Sequence, residues 1–486
     1  MPYTHGVYVQ ENPTSVVAPI TADSAVQVVV GTAPVNLLAD PASALNKPIL
    51  VNTFAEAAAK VGYSDSFDKF TLCQSIDASF RAFNVAPLVL INVLDPLTHK
   101  AVVEASLKEI VAGQVLIKEE GILKAGFTVK DEVGTATYDI SDDYTLEFDD
   151  EGYILLKVVT GGQIAIDEET KLTINYEKLD PSLVDENDII GGYTAATGVY
   201  KGLENVSQVY PRLGLVPGLI LAPGWSHKPA VGTALTAKCE AINGVFTANC
   251  LKDIDCTATG VVEYSAAYAW KNTNSYTGKH DIVCWPMCKI GTKKYNVSSI
   301  MAALIAYTDA NNGGVPYVSP SNKNIRISGA ILADGTEVFL DQAQANILNG
   351  QGICTILNLN GWRSWGNNTG VYPAVSDVKD RFIPVRRMFD WWANTFILTY
   401  FQKVDDPLNR RLIEAVVDSE NIRANGYKAR FQIAGAYMEY NAAENPITDL
   451  LNGNITFKQY LTPYPPAETI VNVLEFDPAA LTAALE

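Results

Sequence analysis

Two apolar runs near the start of the chain limit the folds that are open to it. Val26–Thr32 and Ala86–Val93 are rich in β-branched and aliphatic residues and do not alternate with polar ones. Such runs are typical of strands that are buried on both faces. Apolar residues at Thr53–Val61 and Thr71–Phe83 have helical spacing. This order of elements predicts an α/β body with a largely parallel sheet.

The same pattern returns after residue 190. Strands are predicted at Leu219–Ala222, Val245–Asn249 and Asp281–Trp285, and a helix at Asn296–Tyr307.

The segment between these two stretches differs in charge and in pattern. Val115–Ile190 holds 19 acidic and 6 basic residues, a net charge of −13, whereas the other 410 residues carry about −5. Short runs such as Tyr144–Phe148 and Lys171–Tyr176 alternate with period two and are separated by acidic turns. This pattern predicts a small β-sandwich or barrel inserted into the body. The ligand spacing of an EF-hand loop is missing, so a solvated acidic surface is favoured over a calcium site.

Composition excludes several classes of protein. The 486 residues carry a net charge of −18, which repels nucleic acids and anionic membrane surfaces. The longest apolar stretches, Leu213–Pro223 and Ile300–Tyr307, are too short to cross a bilayer. The first twenty residues contain no Lys or Arg and no apolar core, so we expect no signal peptide and folding in a cytoplasm. Seven cysteines in a long chain predict reduced, mostly buried thiols.

Past about Ser376 the pattern changes to long amphipathic helices. One predicted helix presents an aromatic stripe from Phe382 to Tyr400. A second is predicted to begin with Asp406 as N-cap and Pro407 at its first position, and to stop at Asn425–Gly426. Half-buried strands are predicted at Tyr427–Asn441 and Asn454–Thr462, which makes this part of the chain α+β.

Both termini carry short apolar segments that prolines separate from the body. They are Val7–Glu11, ahead of Asn12–Pro13, and Thr469–Phe476, after Pro463–Pro466. A lone strand leaves its backbone groups unpaired, and a sheet edge in this chain or in a neighbouring copy would satisfy them. Either strand exchange between copies or two termini that pack on their own body fits this observation.

No catalytic or cofactor-binding constellation is found. The run 296–303 resembles the serine-bearing helix of subtilisin-type proteases, but no glycine precedes Ser298 or Ser299. His280 and Asp281 are adjacent on a predicted strand, so they point to opposite faces and do not both serve a triad. His280, Cys284 and Cys288 have helical ligand spacing, but the proline at 286 favours a strand that ends there. Phosphate-binding glycine motifs are missing as well. We therefore expect no enzyme, cofactor or metal.

The run Asn360–Thr369 resembles the Gly-x-Arg-x-Trp-Gly segment of contractile phage tail sheath proteins. Its residues that match are Gly361, Trp362, Arg363, Trp365 and Gly366. Other segments that resemble this family in the expected order are the opening 5–11, Leu213–Gly224, Val283–Pro286, Ile422–Tyr427 and Tyr460–Glu468.

The resemblance implies a defined architecture. It comprises an N-terminal arm (1–22), a non-catalytic subtilisin-like α/β body (23–114 and 191–375), the acidic β-sandwich insertion (115–190), a tube-facing α+β domain (376–466) and a C-terminal arm (467–486). The arms of this family add strands to neighbouring subunits. The positions that the resemblance assigns to these contacts are Val7, Tyr8, Val9, Val471, Val473, Leu474 and Phe476. Basic residues of the C-terminal domain are candidates for the tube-facing surface, namely Arg410, Arg411, Arg423 and Lys428.

The implied function is mechanical. Subunits would stack as hexameric rings around an inner tail tube, contact baseplate and tail terminator proteins, and contract to drive the tube through a host envelope. Such a sheath would be part of a virion tail assembled in the host bacterial cytoplasm, with no direct nucleic-acid partner and no membrane insertion. Three alternatives stay open: the sheath of a phage-tail-like bacteriocin or injection particle, a hydrolase with a subtilisin-like fold, and a β-rich binding module.

Overall fold

The computed structural model describes residues 20–21, 23–165 and 170–486. Within them, the largest sheet has eight strands and is called the central sheet. Its six inner strands are parallel, and an antiparallel strand closes each edge. From one edge to the other the strands are Trp362–Trp365, Ile353–Asn358, Asp281–Cys284, Asn249–Asp253, Leu219–Leu221, Gln27–Gly31, Leu88–Asn92 and Ile49–Val51. The predicted α/β body with a largely parallel sheet is confirmed.

The inner strands are buried on both faces, as their unbroken apolar runs predict. Every residue of Gln27–Gly31 and Leu88–Asn92 is buried. The predicted strand at Val245–Asn249 is wrong, because the strand runs from Asn249 to Asp253. It brings Lys252 into the core, where its Nζ lies 2.9 Å from Asp281 Oδ2 in a fully buried ion pair.

Helices flank the central sheet and complete its core. The longest helix of the body itself, Val297–Asn311, buries most of its side chains, including Ser298 and Ser299. Side-chain caps fix the ends of others: the Thr53 hydroxyl accepts from the Glu56 N–H, and Asp341 forms a capping box with Gln344. The remaining helices of the body are Phe54–Val61, Leu72–Asp77 with a π-helical turn at Ala78–Ala82, Glu186–Ile190, Val209–Leu213, Pro229–Glu240, Ala267–Thr273 and Gln342–Asn349.

Short strands outside the central sheet form three small sheets of the body. They are Ile20–Thr21 with Val85–Ala86, Gly192–Thr194 with Val199–Lys201, and Lys293–Tyr295 with Met287–Ile290 and Gly329–Ile331.

The acidic segment contains two antiparallel sheets that share one apolar core. One sheet joins Tyr144–Phe148, Ile154–Val158 and Gln114–Ile117. The other joins Lys100–Glu109, Lys171–Leu179, Ile122–Lys130 and Thr137–Tyr138. Their inward side chains, including Ile117, Val129, Ile154 and Ile174, are buried in one cluster. The strand Lys100–Glu109 belongs to this unit although it precedes the acidic run.

The C-terminal part consists of a helical pair and a β-hairpin. The helices Ile383–Tyr400 and Arg410–Ala429 pack through Trp392 and Tyr427, whose rings lie 5.4 Å apart. The hairpin strands Gly435–Glu439 and Lys458–Thr462 pair antiparallel. Shorter helices are Val378–Arg381, Ile447–Leu451 in the loop of the hairpin, and Pro478–Leu485 near the C-terminus.

Both predicted ends of the second helix are wrong. Asn409, not Asp406, caps its start, since its side chain accepts from the Leu412 N–H. The helix also runs through Asn425 and Gly426 to Ala429. The strands after it are shorter than predicted, because residues 430–434 form the turn that leads from the helix into the hairpin.

A buried ion pair and buried polar contacts join the helix Ile383–Tyr400 to the body. Arg387 Nη1 donates to Asp309 Oδ1 at 3.1 Å, and Ser24 Oγ donates to the other oxygen of the same carboxylate at 2.7 Å. Asp390 accepts from Asn249 Nδ2 at 3.0 Å and lies 3.2 Å from His280 Nδ1. Because each partner is buried, the helix Ile383–Tyr400 is fixed on the central sheet at the amino ends of its strands.

Candidate functional site

The tryptophan-containing segment forms one edge of the central sheet. The strand Trp362–Trp365 pairs antiparallel with Ile353–Asn358. Its outer edge is covered by a loop, because Ser364 N–H donates to Lys323 O at 3.0 Å and Ile325 N–H donates to Trp362 O at 3.0 Å. The segment therefore presents no free strand edge along this stretch.

Three residues of the segment hold its local geometry. Trp365 Nε1 donates to Asn346 Oδ1 at 3.1 Å, and Arg363 Nη1 donates to Asn322 Oδ1 at 3.1 Å. Gly366 has φ +139°, and a Cβ there would lie 3.0 Å from the Cα of Cys354. A larger residue at 366 would strain the turn and collide with the neighbouring strand.

The residues after this segment anchor the start of the C-terminal arm. Arg381 Nη2 donates to Glu468 Oε2 at 2.7 Å, and Asn367 Nδ2 lies 3.5 Å from Glu468 Oε1. Arg381 also donates from Nε to Asn368 Oδ1 at 2.8 Å. Glu468 lies in a segment that resembles the sheath family, but no sequence signal pairs it with Arg381, which is 87 residues away.

Beyond Glu468 the chain leaves the body. Among residues 20–21, 23–165 and 170–486, none makes a hydrogen bond to the backbone of Ile470–Phe476. The predicted arm positions in this stretch are exposed: 76% for Val471, 76% for Val473, 86% for Leu474 and 80% for Phe476. The stretch pairs with no strand of the described chain. Unpaired backbone and exposed apolar side chains together are the features of a segment that adds to another sheet. Val7, Tyr8 and Val9 lie outside the described residues.

The hairpin of the C-terminal part has one blocked edge. Asn421 Nδ2 donates to Met438 O at 3.0 Å, and Met438 N–H donates to Asn421 Oδ1 at 2.8 Å. Both outward backbone groups of Met438 are thus occupied by one side chain. Since antiparallel partners alternate, Gln459, opposite Met438, also directs its N–H and C=O outward, toward the other edge. Within the described chain those two groups have no hydrogen-bond partner, so the strand Lys458–Thr462 offers a free edge.

The four candidate tube-facing residues are not equivalent. Arg410, Arg411 and Lys428 are exposed on the helix Arg410–Ala429. Arg423 lies mostly buried: its guanidinium carbon is 4.1 Å from the centre of the Trp392 ring, and its Nη1 is 3.3 Å from Glu420 Oε1. Burial lowers the pKa of Arg423 from its ordinary value, which the Glu420 carboxylate partly offsets. Arg423 therefore packs between the C-terminal helices.

Of the two serines that resemble a protease nucleophile, Ser298 contacts a carboxylate, whereas Ser299 Oγ lies 3.2 Å from Ser75 Oγ. Ser298 Oγ donates to Asp253 Oδ2 at 2.5 Å, and Ser226 Oγ donates to the same oxygen at 2.9 Å. Burial raises the pKa of Asp253. His280 lies at the amino end of its strand, whereas Asp253 and Ser298 lie at the carboxyl end of the neighbouring strand. The central sheet thus separates this histidine from the serine, and the pair lacks the geometry of a triad.

A cleft of about 1530 Å³ lies at the carboxyl ends of the central-sheet strands. It separates the body from the acidic segment with its two antiparallel sheets, which is called the acidic unit. Three ion pairs lie on its wall: Lys69 with Glu120 at 2.9 Å, Lys178 with Glu119 at 2.7 Å, and Lys293 with Asp65 at 2.7 Å. Glu120 also accepts from Ser64 and Ser66 of the body. The Glu120 contacts hold the acidic unit against the body, whereas the Lys178–Glu119 pair lies within the acidic unit and the Lys293–Asp65 pair within the body.

Metal and membrane sites were also sought in the described part of the chain. No group of three or more His, Cys, Asp or Glu side chains there is placed to hold a metal ion. No helix there is long and apolar enough to cross a membrane. All seven cysteines are buried and unpaired, as predicted, and burial raises the pKa of Cys73, Cys284 and Cys288.

Comparison with known proteins confirms the resemblance to contractile tail sheath proteins. The chain is similar to the tail sheath protein of Burkholderia phage BcepMu, with 27% identity that covers 96% of this chain and 95% of the relative. It is also similar to the tail sheath protein of Escherichia phage P2, with 26% identity over 63% of this chain and 72% of that protein. These relatives are structural proteins of a tail, not enzymes. No protein-family model matches the chain.

Solved structures share the fold over the whole length. A chain of the six-fold symmetrised anti-feeding prophage baseplate matches with a TM-score of 0.58 and 15% identity, covering 98% of this chain and 100% of that one. The sheath of an extracellular contractile injection system, PVC, in its contracted state matches with a TM-score of 0.56 and 14% identity, covering 99% of both chains.

Proposed function

We propose that this chain is the subunit of a contractile sheath that stacks as hexameric rings around an inner tail tube and contracts to drive the tube through a host envelope. Its partners are further copies of itself, the tube protein, and the baseplate and tail terminator proteins. Assembly takes place in the cytoplasm of a bacterial host. The similarity to phage tail sheath proteins over almost the whole chain supports this proposal.

The observation that carries the proposal is the C-terminal arm. Its residues Ile470–Phe476 are exposed, and their backbone has no hydrogen-bond partner among the described residues. The outward groups of Gln459 likewise have none there, which leaves the edge of Lys458–Thr462 free. One copy therefore supplies an unpaired segment, and the next copy supplies a free strand edge that can pair with it. Main-chain hydrogen bonds across that edge would link copies, and the apolar side chains Val471 and Val473 would lose exposed surface. Val7, Tyr8 and Val9 are proposed to make the second such link.

The arm and its anchor have separate roles in the proposed movement. Glu468 is held by Arg381, and the prolines at 463, 465 and 466 stiffen the chain before it. The body of each subunit can then rotate while the arm keeps copies connected. The free energy for contraction is proposed to come from additional contact between bodies, at about 25 cal/mol per Å² of apolar surface.

The finer architecture follows the same proposal. The body has the arrangement of a non-catalytic subtilisin-like domain, in which Ser298 is a buried hydrogen-bond donor. The acidic unit is a β-sandwich insertion on the outer surface of the sheath. Arg410, Arg411 and Lys428 are exposed and are proposed to face the tube, where screened charge contacts allow release. Arg423 is proposed to support that face from within.

A phage tail and a tail-like particle are both consistent with this role. The matches to the anti-feeding prophage and to an extracellular injection system favour the particle as a second candidate. The subunit performs the same task in each.

Negative-stain electron microscopy of the purified chain tests the proposal, beside a chain that ends at Pro466. The full chain should form tubes or stacked rings, and the shortened chain should remain monomeric because it lacks the arm. Tubes from both chains would exclude the C-terminal arm as the link. Monomers from both, even with the tube protein added, would contradict the sheath function.

A further inference from the structure

The described residues of the chain bury no side chain of its last helix, Pro478–Leu485. Its start is well capped: Pro478 occupies the first position, and Asp477 Oδ1 accepts from the Ala479 N–H at 2.9 Å. Yet none of its residues is buried, and Leu481 and Leu485 are 53% and 80% exposed. A helix of this length is marginal in water when nothing covers it. Its sequence, rich in Ala and Leu, is that of a helix that packs closely on another apolar surface.

A second short helix with an uncovered apolar pair lies in the hairpin. Ile447–Leu451 is part of the loop that joins the two hairpin strands, and Ile447 and Leu451 are 67% and 79% exposed. These two residues are four positions apart, as are Leu481 and Leu485. Each helix therefore presents two apolar side chains in a row on one face, called its apolar line. Charged residues do not interrupt either line.

The arm determines where the last helix goes. In the proposed function, on which this inference rests, the segment Ile470–Phe476 of one copy adds as a strand to the free edge Lys458–Thr462 of a second copy. An antiparallel addition continues the pattern of the hairpin and is the more frequent kind of pairing. It places Phe476 beside Lys458, at the end of the strand where the hairpin loop begins. Only Asp477 separates Phe476 from the last helix, so that helix reaches the loop directly.

We propose that the helix Pro478–Leu485 of one copy docks on the helix Ile447–Leu451 of the copy that accepts its arm. The contact joins Leu481 and Leu485 to Ile447 and Leu451. It locks the register of the added strand, because a shift of the strand would pull the two apolar lines apart. The partner is thus a second copy of this chain, and the site is a clasp at the end of the arm.

Single-cysteine variants of the full chain test this contact between copies. Leu481→Cys and Ile447→Cys are purified separately, mixed, allowed to assemble and oxidised, and the linked peptides are identified by mass spectrometry. The native cysteines do not interfere, since all seven are buried. The matched control mixes Leu481→Cys with Tyr464→Cys, because Tyr464 is 44% exposed just beyond the opposite end of the acceptor strand.

The 481–447 link is expected in at least about tenfold excess over the 481–464 link, because a disulfide needs Cα atoms within about 7 Å. Assembled particles with an equal or larger 481–464 link would overturn the proposed docking. So would particles in which neither link forms. Failure of the unmodified chain to assemble with its tube would instead contradict the proposed function itself.

A shortened chain that ends at Phe476 gives an independent readout. It keeps the strand and loses only the clasp. Particles of this chain are expected to form and to dissociate at a lower urea concentration than those of the full chain, with the monomer's own unfolding midpoint unchanged. Equal dissociation midpoints for the two kinds of particle would overturn the clasp and leave strand exchange intact.

Discussion

Asn421 holds both outward backbone groups of Met438, donating to its carbonyl at 3.0 Å and accepting from its N–H at 2.8 Å. One amide side chain on a helix thus closes one edge of the two-stranded hairpin. The other edge, Lys458–Thr462, is the one that stays available to another chain. Natural sheets block edges in this way to restrict which strands are able to pair with them.

Replacing Asn421 should open the second edge. Asn421→Ala removes two hydrogen bonds and leaves Met438 backbone groups unpaired, with an expected cost of about 1–2 kcal/mol in the free energy of unfolding. Urea unfolding measures this cost, and light scattering should show added irregular association. Asn425→Ala, on the exposed face of the same helix, serves as the control and should leave both readouts near wild type. Equal behaviour of the two variants would contradict the role of Asn421.

The Arg381–Glu468 ion pair should matter for assembly more than for folding. Both side chains are partly exposed, at 23% and 32%, so Arg381→Gln should lower the free energy of unfolding by less than about 1 kcal/mol. The same change frees the root of the arm, and fewer or irregular tubes are expected by electron microscopy. Lys403→Gln breaks the exposed Lys403–Asp406 pair and should not alter the tubes. Normal tubes from Arg381→Gln would argue against an anchored arm.

Arg423 should behave as a core residue and Arg411 as a surface residue. Arg423→Met removes the cationic partner of Glu420, which is 1% exposed, and leaves its carboxylate with the neutral Gln459 amide and Tyr400 hydroxyl. Loss of one member of such a buried pair costs about 3 kcal/mol. Arg411→Met should change stability by less than about 0.5 kcal/mol. Thermal and urea unfolding measure the loss of stability in each variant. Similar losses for both would show that the burial of Arg423 does not stabilise the fold.

Asp253 should make stability depend on pH. Burial raises the pKa of this carboxyl in the folded chain, so between its unfolded and folded pKa values the folded state binds more protons than the unfolded state. The contribution to stability is therefore largest at acid pH and is lost as pH rises through that window. Asp253→Asn keeps a neutral group beside Ser298 and should flatten this dependence. Urea midpoints from pH 4 to 8 test it, and parallel curves for the two proteins would contradict the assignment.

Strands and helices that are marked by the residues of their own segment are predicted correctly from the sequence. Val26–Thr32 and Ala86–Val93 form buried strands because nothing but a two-sided core accepts such runs. The strand Asn249–Asp253 was missed because Lys252 and Asp253 are charged, and their burial depends on Asp281 and on two serines from other segments. Sequence spacing does not reveal these partners.

The same distinction applies to the C-terminal part. Asn425 and Gly426 usually end a helix, but here they lie on its exposed face while Ala424 and Tyr427 pack inward and carry the helix onward. In the sequence, charge alone marks the tube-facing candidates, and only the packing against Trp392 sets Arg423 apart. The Arg381–Glu468 and Asn421–Met438 contacts depend on tertiary structure and leave no local signal.

Amide hydrogen exchange of monomers and assembled particles tests the central claim most directly. Copies joined by the C-terminal arm should protect two regions together on assembly, the amides of Ile470–Phe476 and those of Gln459 and Leu461. In the monomer both should exchange as exposed amides do, and in a chain that ends at Pro466 the second region should stay unprotected at all concentrations. Assembled particles in which Ile470–Phe476 still exchange freely would contradict strand exchange through this arm.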